Sequence, residues 1–281
     1  MPRILLVAKT PLARRLTLDD RERLAAAGAV DTDRLDASLA RHEATLGTVR
    51  AALAGEPVRE VRVEDLHPDD ADGVDLVVTV GGDGTVFTAN TVVADVPFLT
   101  VNSDPERSIG HFTRATSATA PTLIRAWCAG SATLDTLPRL EVRVGSRRWR
   151  FLNDCLFTST NPAAMSRYLL DCRDGREYQR SSGVWVATAA GSTGAIRSAG
   201  AAPIAGGEAL LFQVREPFHG RDELRLLNGR QIPATGLQLT PGIPGMALYL
   251  DGPNITVPLR PGATAHIAPA STPLRLLRLA Q

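Results

Sequence analysis

Apolar and polar positions follow two different rhythms along this chain. Over the first hundred residues, short near-continuous apolar runs are separated by stretches with helical spacing. Residues 4–8 form one run. Asp75-Leu-Val-Val-Thr-Val80 forms another, with the β-branched density of a strand covered on both faces. Between them, residues 35–53 set Leu39, Leu46, Val49 and Leu53 on one helical side, and residues 58–63 alternate as a short strand. Gly81 and Gly82 stop the second run. Residues 85–93 then read as a helix, 97–101 as the next strand and 118–128 as a further helix. Strands alternating with helices predict βαβ units on a parallel sheet.

After Pro138 the rhythm shortens. Residues 140–144, 149–158, 167–172 and 184–188 are β-rich runs, punctuated by turn signals such as Gly145-Ser146 and Asp174-Gly175. Residues 237–278 continue in the same way, broken by Pro241-Gly242, Pro244-Gly245, Asp251-Gly252 and Pro261-Gly262. The pattern predicts an α/β domain followed by a mostly antiparallel β domain, with the boundary between residues 115 and 138. Ligands of open α/β sheets bind beyond the carboxyl ends of the strands, so a cleft there is the expected site.

Composition narrows the function. A chain of 281 residues suits one large domain or two ordinary ones. A net charge of +1 gives no footing for a nucleic-acid or polybasic membrane surface. The apolar runs fall far short of the roughly 18 residues that span a bilayer. Cys128, Cys155 and Cys172 form no Cys-x-x-Cys, which predicts reduced, buried thiols. With an opening that reads as a strand rather than a leader, this gives a cytoplasmic expectation. Lys9 is the sole lysine, so no Gly-Lys-Ser/Thr phosphate loop can form, and phosphate must be held by main-chain amides, arginine or a metal. The five histidines lack metal-ligand spacing. Asp69-Asp70 reads as a solvated helix start, Arg215-Glu216 as an ion pair, and Trp149 and Trp185 as core. Arg107 suits either a phosphate or its neighbour Glu106, and His111 lies in the same predicted loop region.

The strongest local signal is Gly81-Gly82-Asp83-Gly84-Thr85, placed where a buried strand ends and a helix begins. Glycines there bring the main chain close to a ligand, and the helix start favours an anion. A carboxylate in the middle of such a cradle makes sense as the base for a hydroxyl that attacks phosphate. The structural alternative is a helix cap.

This segment resembles the signature shared by NAD kinases, 6-phosphofructokinases and the diacylglycerol/sphingosine kinases. Asn153-Asp154, and Val186 to Gly200 with its Gly191-Ser192-Thr193 core, are similar to two further blocks of the NAD kinase family. Val101-Asn-Ser-Asp-Pro-Glu-Arg-Ser108 with Gly110-His111, Ser181-Ser182-Gly183, Val214-Arg-Glu-Pro217 and Asp251-Gly252 resemble its mitochondrial-type branch. The resemblance implies a Rossmann-like α/β N-terminal domain (1–125, completed by about 270–281) and a β-sandwich-like C-terminal domain (126–269). It also implies a homodimer or homotetramer that transfers the γ-phosphoryl of ATP, with Mg²⁺, to the adenosine-ribose 2′-hydroxyl of NAD(H). Asp83 would be the general base. Gly81, Gly82, Gly84, Thr85, Asn102 and Arg107 would serve the phosphates, with Asp104 in the next loop. Asn153, Asp154, Thr188, Ser192, Thr193, Ala195 and Ser198 would serve the acceptor.

Three departures concern the acceptor side. Asp154 stands where the family has glutamate, Ala189 and Ala190 replace Pro and Thr, and Ala195 replaces an aromatic residue. Either another side chain fills the place of the ring or the acceptor differs from NAD. A kinase for a nucleoside or other nucleotide, and a non-catalytic NAD(H)-binding protein, are the alternatives. The Gly191-Ser192-Thr193 block argues against a lipid kinase.

Overall fold

A computed structural model describes the chain except residues 94, 208, 221–223, 232–235, 254 and 279–281. It divides into two units, Met1–Thr136 with Leu274–Gln281, and Leu137–Pro273.

In the first unit, β1 (Ile4–Ala8) leads through α1 (Leu12–Arg15), α2 (Leu18–Ala26) and α3 (Thr32–Ala52) to β2 (Val58–Arg62) and β3 (Leu76–Gly81). Then follow α4 (Asp83–Val92), β4 (Phe98–Asn102), α5 (Ala120–Cys128) and β5 (Thr133–Leu137). The sheet order is β2-β1-β3-β4, then the chain's last strand, then β5. The pairs β1–β2, β1–β3, β3–β4 and β4 with the last strand are parallel. Every residue of β1, β3 and β4 is buried, which accounts for their uninterrupted apolar runs. Leu46, Val49 and Leu53 at the α3 end and Leu123 and Ile124 of α5 share one core with these strands.

Three features lay outside the periodic signal. No residue of α2 is buried, so it has no apolar stripe; its start is fixed by a capping box between Thr17 and Asp20. β5 is largely exposed. α4 begins two residues before the spacing predicts, with Gly82 as its cap, and this places Asp83 in the first helical position.

The second unit contains β6 (Leu140–Val144), β7 (Arg147–Phe151), β8 (Asp154–Ser159), β9 (Ser166–Cys172), β10 (Gly175–Ser181) and β11 (Val184–Ala187). After α6 (Ala195–Ser198) come β12 (Leu210–Val214), β13 (Asn228–Gln231), β14 (Leu237–Pro241), β15 (Met246–Leu250), β16 (Ile255–Leu259) and β17 (Ala265–Pro269). The last strand of the chain is β18 (Leu274–Arg278); the Leu279 end of the predicted strand lies outside the described residues. Two six-stranded sheets, β10-β9-β14-β17-β6-β7 and β13-β12-β11-β8-β15-β16, contribute alternate residues to one core that includes Phe151, Phe157, Tyr168, Phe212 and Leu248.

Several expectations are corrected. The single run 149–158 is two strands interrupted at Leu152 and Asn153. Asp70 is buried and paired with Arg59 rather than solvated. All three cysteines are free thiols, but Cys155 alone is buried and Cys128 is exposed. Trp185 is only half-buried. No helix among the described residues is long and apolar enough to cross a membrane.

Candidate active site

The two central strands of the parallel sheet, β3 and β4, end side by side, with Gly81 registered against Asn102. The glycines of this loop divide by what surrounds them. A Cβ at Gly81 would overlap the Thr85 hydroxyl and crowd Lys9, so packing demands glycine there. A Cβ at Gly82 would come within 3.3 Å of Ser108 Oγ. At Gly84, exposed in the first turn of α4, a Cβ would meet nothing within 4 Å. Neither packing nor a positive φ explains glycine at that position.

Asp83 does not cap its own helix. Its Oδ2 accepts from the His111 amide at 3.0 Å and its Oδ1 from the Phe112 amide at 2.8 Å. Each oxygen retains a lone pair beyond those bonds. The His111 contribution is therefore main chain, while its ring lies edge-on to Phe112. Phe112 is buried and packs edge-on against Phe87 at 4.9 Å between centroids, which anchors the donating segment to α4.

The loop that supplies these amides is fastened along its length. Asn102 Nδ2 donates to the Ser108 carbonyl at 2.9 Å and its Oδ1 accepts from the Asp104 amide at 3.1 Å. Its side chain is thus occupied in shaping the loop. Gly110 has φ +63°, and a Cβ there would overlap Thr113 and Asn102. Asp104, buried, accepts from Arg41 Nε at 2.6 Å and from Ser38 Oγ at 2.5 Å. Arg41 also pairs with Glu106 at 3.1 Å, and Arg107 donates to the Arg34 carbonyl at 3.0 Å. Residues 34, 38 and 41 lie on one stripe of α3. Burial pushes the Asp104 carboxyl up, but hydrogen bonds from Arg41 and Ser38 and the charges of Arg41 and Lys9 hold it below its usual value. Burial lowers Lys9 in turn, against the pull of Asp104. Lys9, Ser38 and Arg41 were not anticipated as parts of this site. The one usable signal was a lone lysine at the end of a buried strand.

The acceptor-type residues gather in the second unit around the break between β7 and β8. Asp251 accepts from the amides of Leu152 at 2.8 Å, Asn153 at 2.7 Å and Asp154 at 3.3 Å. It does so from a left-handed backbone, φ +49°, rare outside glycine but best tolerated by Asp and Asn. Burial raises the Asp251 carboxyl to about 7, with the amides opposing and the Asp154 charge adding; burial raises Asp154 to about 6. Asn153 Nδ2 donates to Asp154 Oδ2 at 2.9 Å. Thr188 Oγ1 donates to the Leu152 carbonyl at 2.6 Å and accepts from the Gly191 amide at 2.9 Å. A Cβ at Gly191 would overlap the Asn153 carbonyl. Ser192, fully buried, donates to the Ala189 carbonyl at 2.7 Å, while Thr193 is exposed. Thr188 and Ser192 therefore shape the corner; Thr193 is exposed and Asn153 half-buried, while the Asp154 carboxyl is buried and accepts from Asn153. Beyond it, Ala195 and Ser198 line a cavity of about 470 Å³ with Trp185, Ala199, Arg215 and Glu216.

Among the described residues no group of three or more His, Cys, Asp or Glu side chains is placed to hold a metal ion. A glycine loop that ends a parallel strand and presents a carboxylate at a helix start is an arrangement suited to phosphoryl transfer.

Residues 25–132 match the family model described as the ATP-NAD kinase N-terminal domain. A probable NADH kinase of Oryza sativa subsp. japonica is 31% identical over 265 residues, covering 84% of this chain and 81% of that protein. The chain belongs to the ATP-NAD kinase family. A stretch of 59 residues is 41% identical to NAD kinase 2, mitochondrial, of Xenopus tropicalis, covering 20% of this chain and 14% of that protein, in keeping with the mitochondrial-type likeness. The crystal structure of yeast NADH kinase complexed with NADH has the same fold, with a TM-score of 0.71 at 15% identity over 99% of this chain and 84% of that one.

Proposed function

We propose that the protein transfers the γ-phosphoryl group of ATP to the 2′-hydroxyl of the adenosine ribose of NAD(H), with Asp83 as general base. The observation that carries this reading is the Asp83 carboxylate, fixed by the amides of His111 and Phe112 beside the open backbone of Gly84. The ribose hydroxyl gives its proton to a remaining Asp83 lone pair as its oxygen bonds to the γ-phosphorus, and ADP leaves with the bridging oxygen. The amides of Gly82, Asp83 and Gly84 at the start of α4 serve the phosphates, as helix N-termini do for anions, while the Thr85 amide closes the turn onto the Gly82 carbonyl. Magnesium carried by ATP supplies charge neutralisation, which with positioning makes up most of phosphoryl-transfer catalysis.

On the acceptor side, Asn153 and Asp154 hold ribose hydroxyls. Burial raises Asp154 to about 6, and its carboxyl stands one methylene short of the reach of a glutamate. Arg107, exposed and tied to α3, serves the phosphates from the periphery.

The test is Asp83→Asn. Turnover of ATP with NAD or NADH, followed with an NADP-specific dehydrogenase, is expected to fall about 10²- to 10⁴-fold while nucleotide binding survives. Undiminished turnover removes the mechanism. A kinase for another acceptor is the second reading, favoured by the cavity left open beside Ala195. Labelled ATP offered with NAD, NADH and nucleosides separates the two, since product from a nucleoside alone supports the second.

A further inference from the structure

β11 sorts its side chains by the pleat. Val184 and Val186 enter the sandwich core, whereas Trp185 and Ala187 face the other way, onto a small separate cluster with Ile196, Ala201 and Leu211. α6 lies over this cluster and brings Ala195, Ser198 and Ala199 beside the indole. Trp185 is therefore seated on apolar side chains along part of its ring while the rest lines the cavity of about 470 Å³, a volume in the range of small-molecule sites. It is the one aromatic group among the lining residues, on the wall where Ala195 offers only a methyl group.

The polar part of the lining, Arg215 and Glu216, directly follows β12, the strand paired with β11. The Arg215 amide donates to the Gly183 carbonyl at 2.8 Å and the Arg215 carbonyl accepts from the Ser182 amide at 3.0 Å. Glu216 is held at φ +43°, 3.7 Å from the Arg215 guanidinium. A flat π face that shares one cavity with a guanidinium, a carboxylate and the Ser198 hydroxyl suits a planar heterocycle that carries both an exocyclic amine and ring-nitrogen acceptors.

We infer that Trp185 is the stacking platform for the purine base of the acceptor, taking the place of the ring missing at position 195, with Arg215 and Glu216 at the edge of the base. The inference rests on the acceptor reading given above and makes Trp185 a specificity-determining residue for it.

Trp185→Leu keeps apolar bulk without a π face, and Trp185→Phe restores a ring. The KM for NAD(H) is expected to rise about tenfold in Trp185→Leu, in line with base–aromatic stacking, with kcat and the KM for ATP little changed and most of the loss recovered in Trp185→Phe. An unchanged acceptor KM, or a rise in the ATP KM instead, overturns the inference. Binding gives an independent readout should Trp185→Leu fail to fold. Adenosine or NAD is expected to quench tryptophan fluorescence in the wild type but not in Trp185→Phe, which keeps Trp127 and Trp149. Quenching that persists in Trp185→Phe overturns the assignment. Quenching that depends on Trp185, without phosphorylated product from the wild type, upholds the base site and removes the kinase reading.

Discussion

The amide of Phe112 donates to Asp83 Oδ1 at 2.8 Å, and through that bond the proposed base is tied to a helix far upstream of it. Ser38 and Arg41 of α3 hold Asp104; the Asp104 amide and the Ser108 carbonyl hold Asn102; Asn102 and Thr113 close round Gly110; and the next two amides receive Asp83. Each neutral bond adds only about 1 kcal/mol net, but in series they leave the carboxylate one orientation.

Asp104→Asn tests the series. It preserves shape and removes the charge that Arg41 meets at 2.6 Å. Stability is expected to fall by about 2 kcal/mol, read by urea denaturation. Misplacement of the Asp83 clasp is expected to lower kcat about ten- to hundredfold, with smaller changes in both KM values. Lost stability with intact kcat would show that the loop holds Asp83 without help from α3.

The glycines of the loop give a contrasting pair. Gly81→Ala drives a methyl group into Thr85 and Lys9 and is expected to cost about 1–3 kcal/mol of stability. Gly84→Ala meets no protein atom and improves helix propensity, so its thermal midpoint should hold or rise. If phosphate approaches that backbone, the KM for ATP rises in Gly84→Ala alone. Equal ATP kinetics in Gly84→Ala and wild type would mean that the open space at Gly84 is solvent only.

The parts of this architecture visible in the sequence are those with one-dimensional causes. β1, β3 and β4 are buried on both faces and so read as apolar runs, and Gly81 to Thr85 announces a loop by its own composition. What stayed hidden depends on distant partners. The polar stripe Arg34, Ser38 and Arg41 reads as a solvated helix side, yet it faces the loop after β4. The amides that fix Asp83 lie 28 and 29 residues away. The break between β7 and β8 is enforced by Asp251, whose oxygens claim amides 97 to 99 residues earlier. Trp185 belongs to a genuine strand, and only the pleat decides that its ring leaves the main core.

Asp251→Asn isolates that clasp, because asparagine tolerates the same left-handed backbone. An amide oxygen cannot serve all three donors, and its NH₂ faces the remainder. A loss of about 1–3 kcal/mol is expected, with Asn153 and Asp154 freed to move. The KM for NAD(H) should rise about tenfold while the KM for ATP stays fixed, and an unchanged acceptor KM would show that Asp251 serves folding only.

His42 makes the pH dependence of stability testable in sign. It lies buried on α3, and neither ring nitrogen has a hydrogen-bond partner among the described residues. Burial lowers its pKa from the ordinary 6.5 to about 4, helped by the charges of Lys9, Arg62 and Arg14 and opposed by Glu43. The unfolded chain therefore takes up a proton below about 6.5 that the folded chain refuses until about 4, so His42 costs stability as pH falls through that window. Asp154 and Asp251 act oppositely. Raised to about 6 and 7, they keep protons in the folded state that the unfolded state loses near 3.8, so their share of stability declines as pH rises from about 4 to 7. The two slopes offset each other in the wild type. His42→Leu removes one of them and leaves a protein whose stability declines from pH 5 to pH 7.5. Relative to wild type, the variant should gain about 2 kcal/mol more at pH 5 than at pH 7.5 in urea titrations. An equal difference at both pH values would mean that the folded protein protonates His42 as readily as the unfolded chain does.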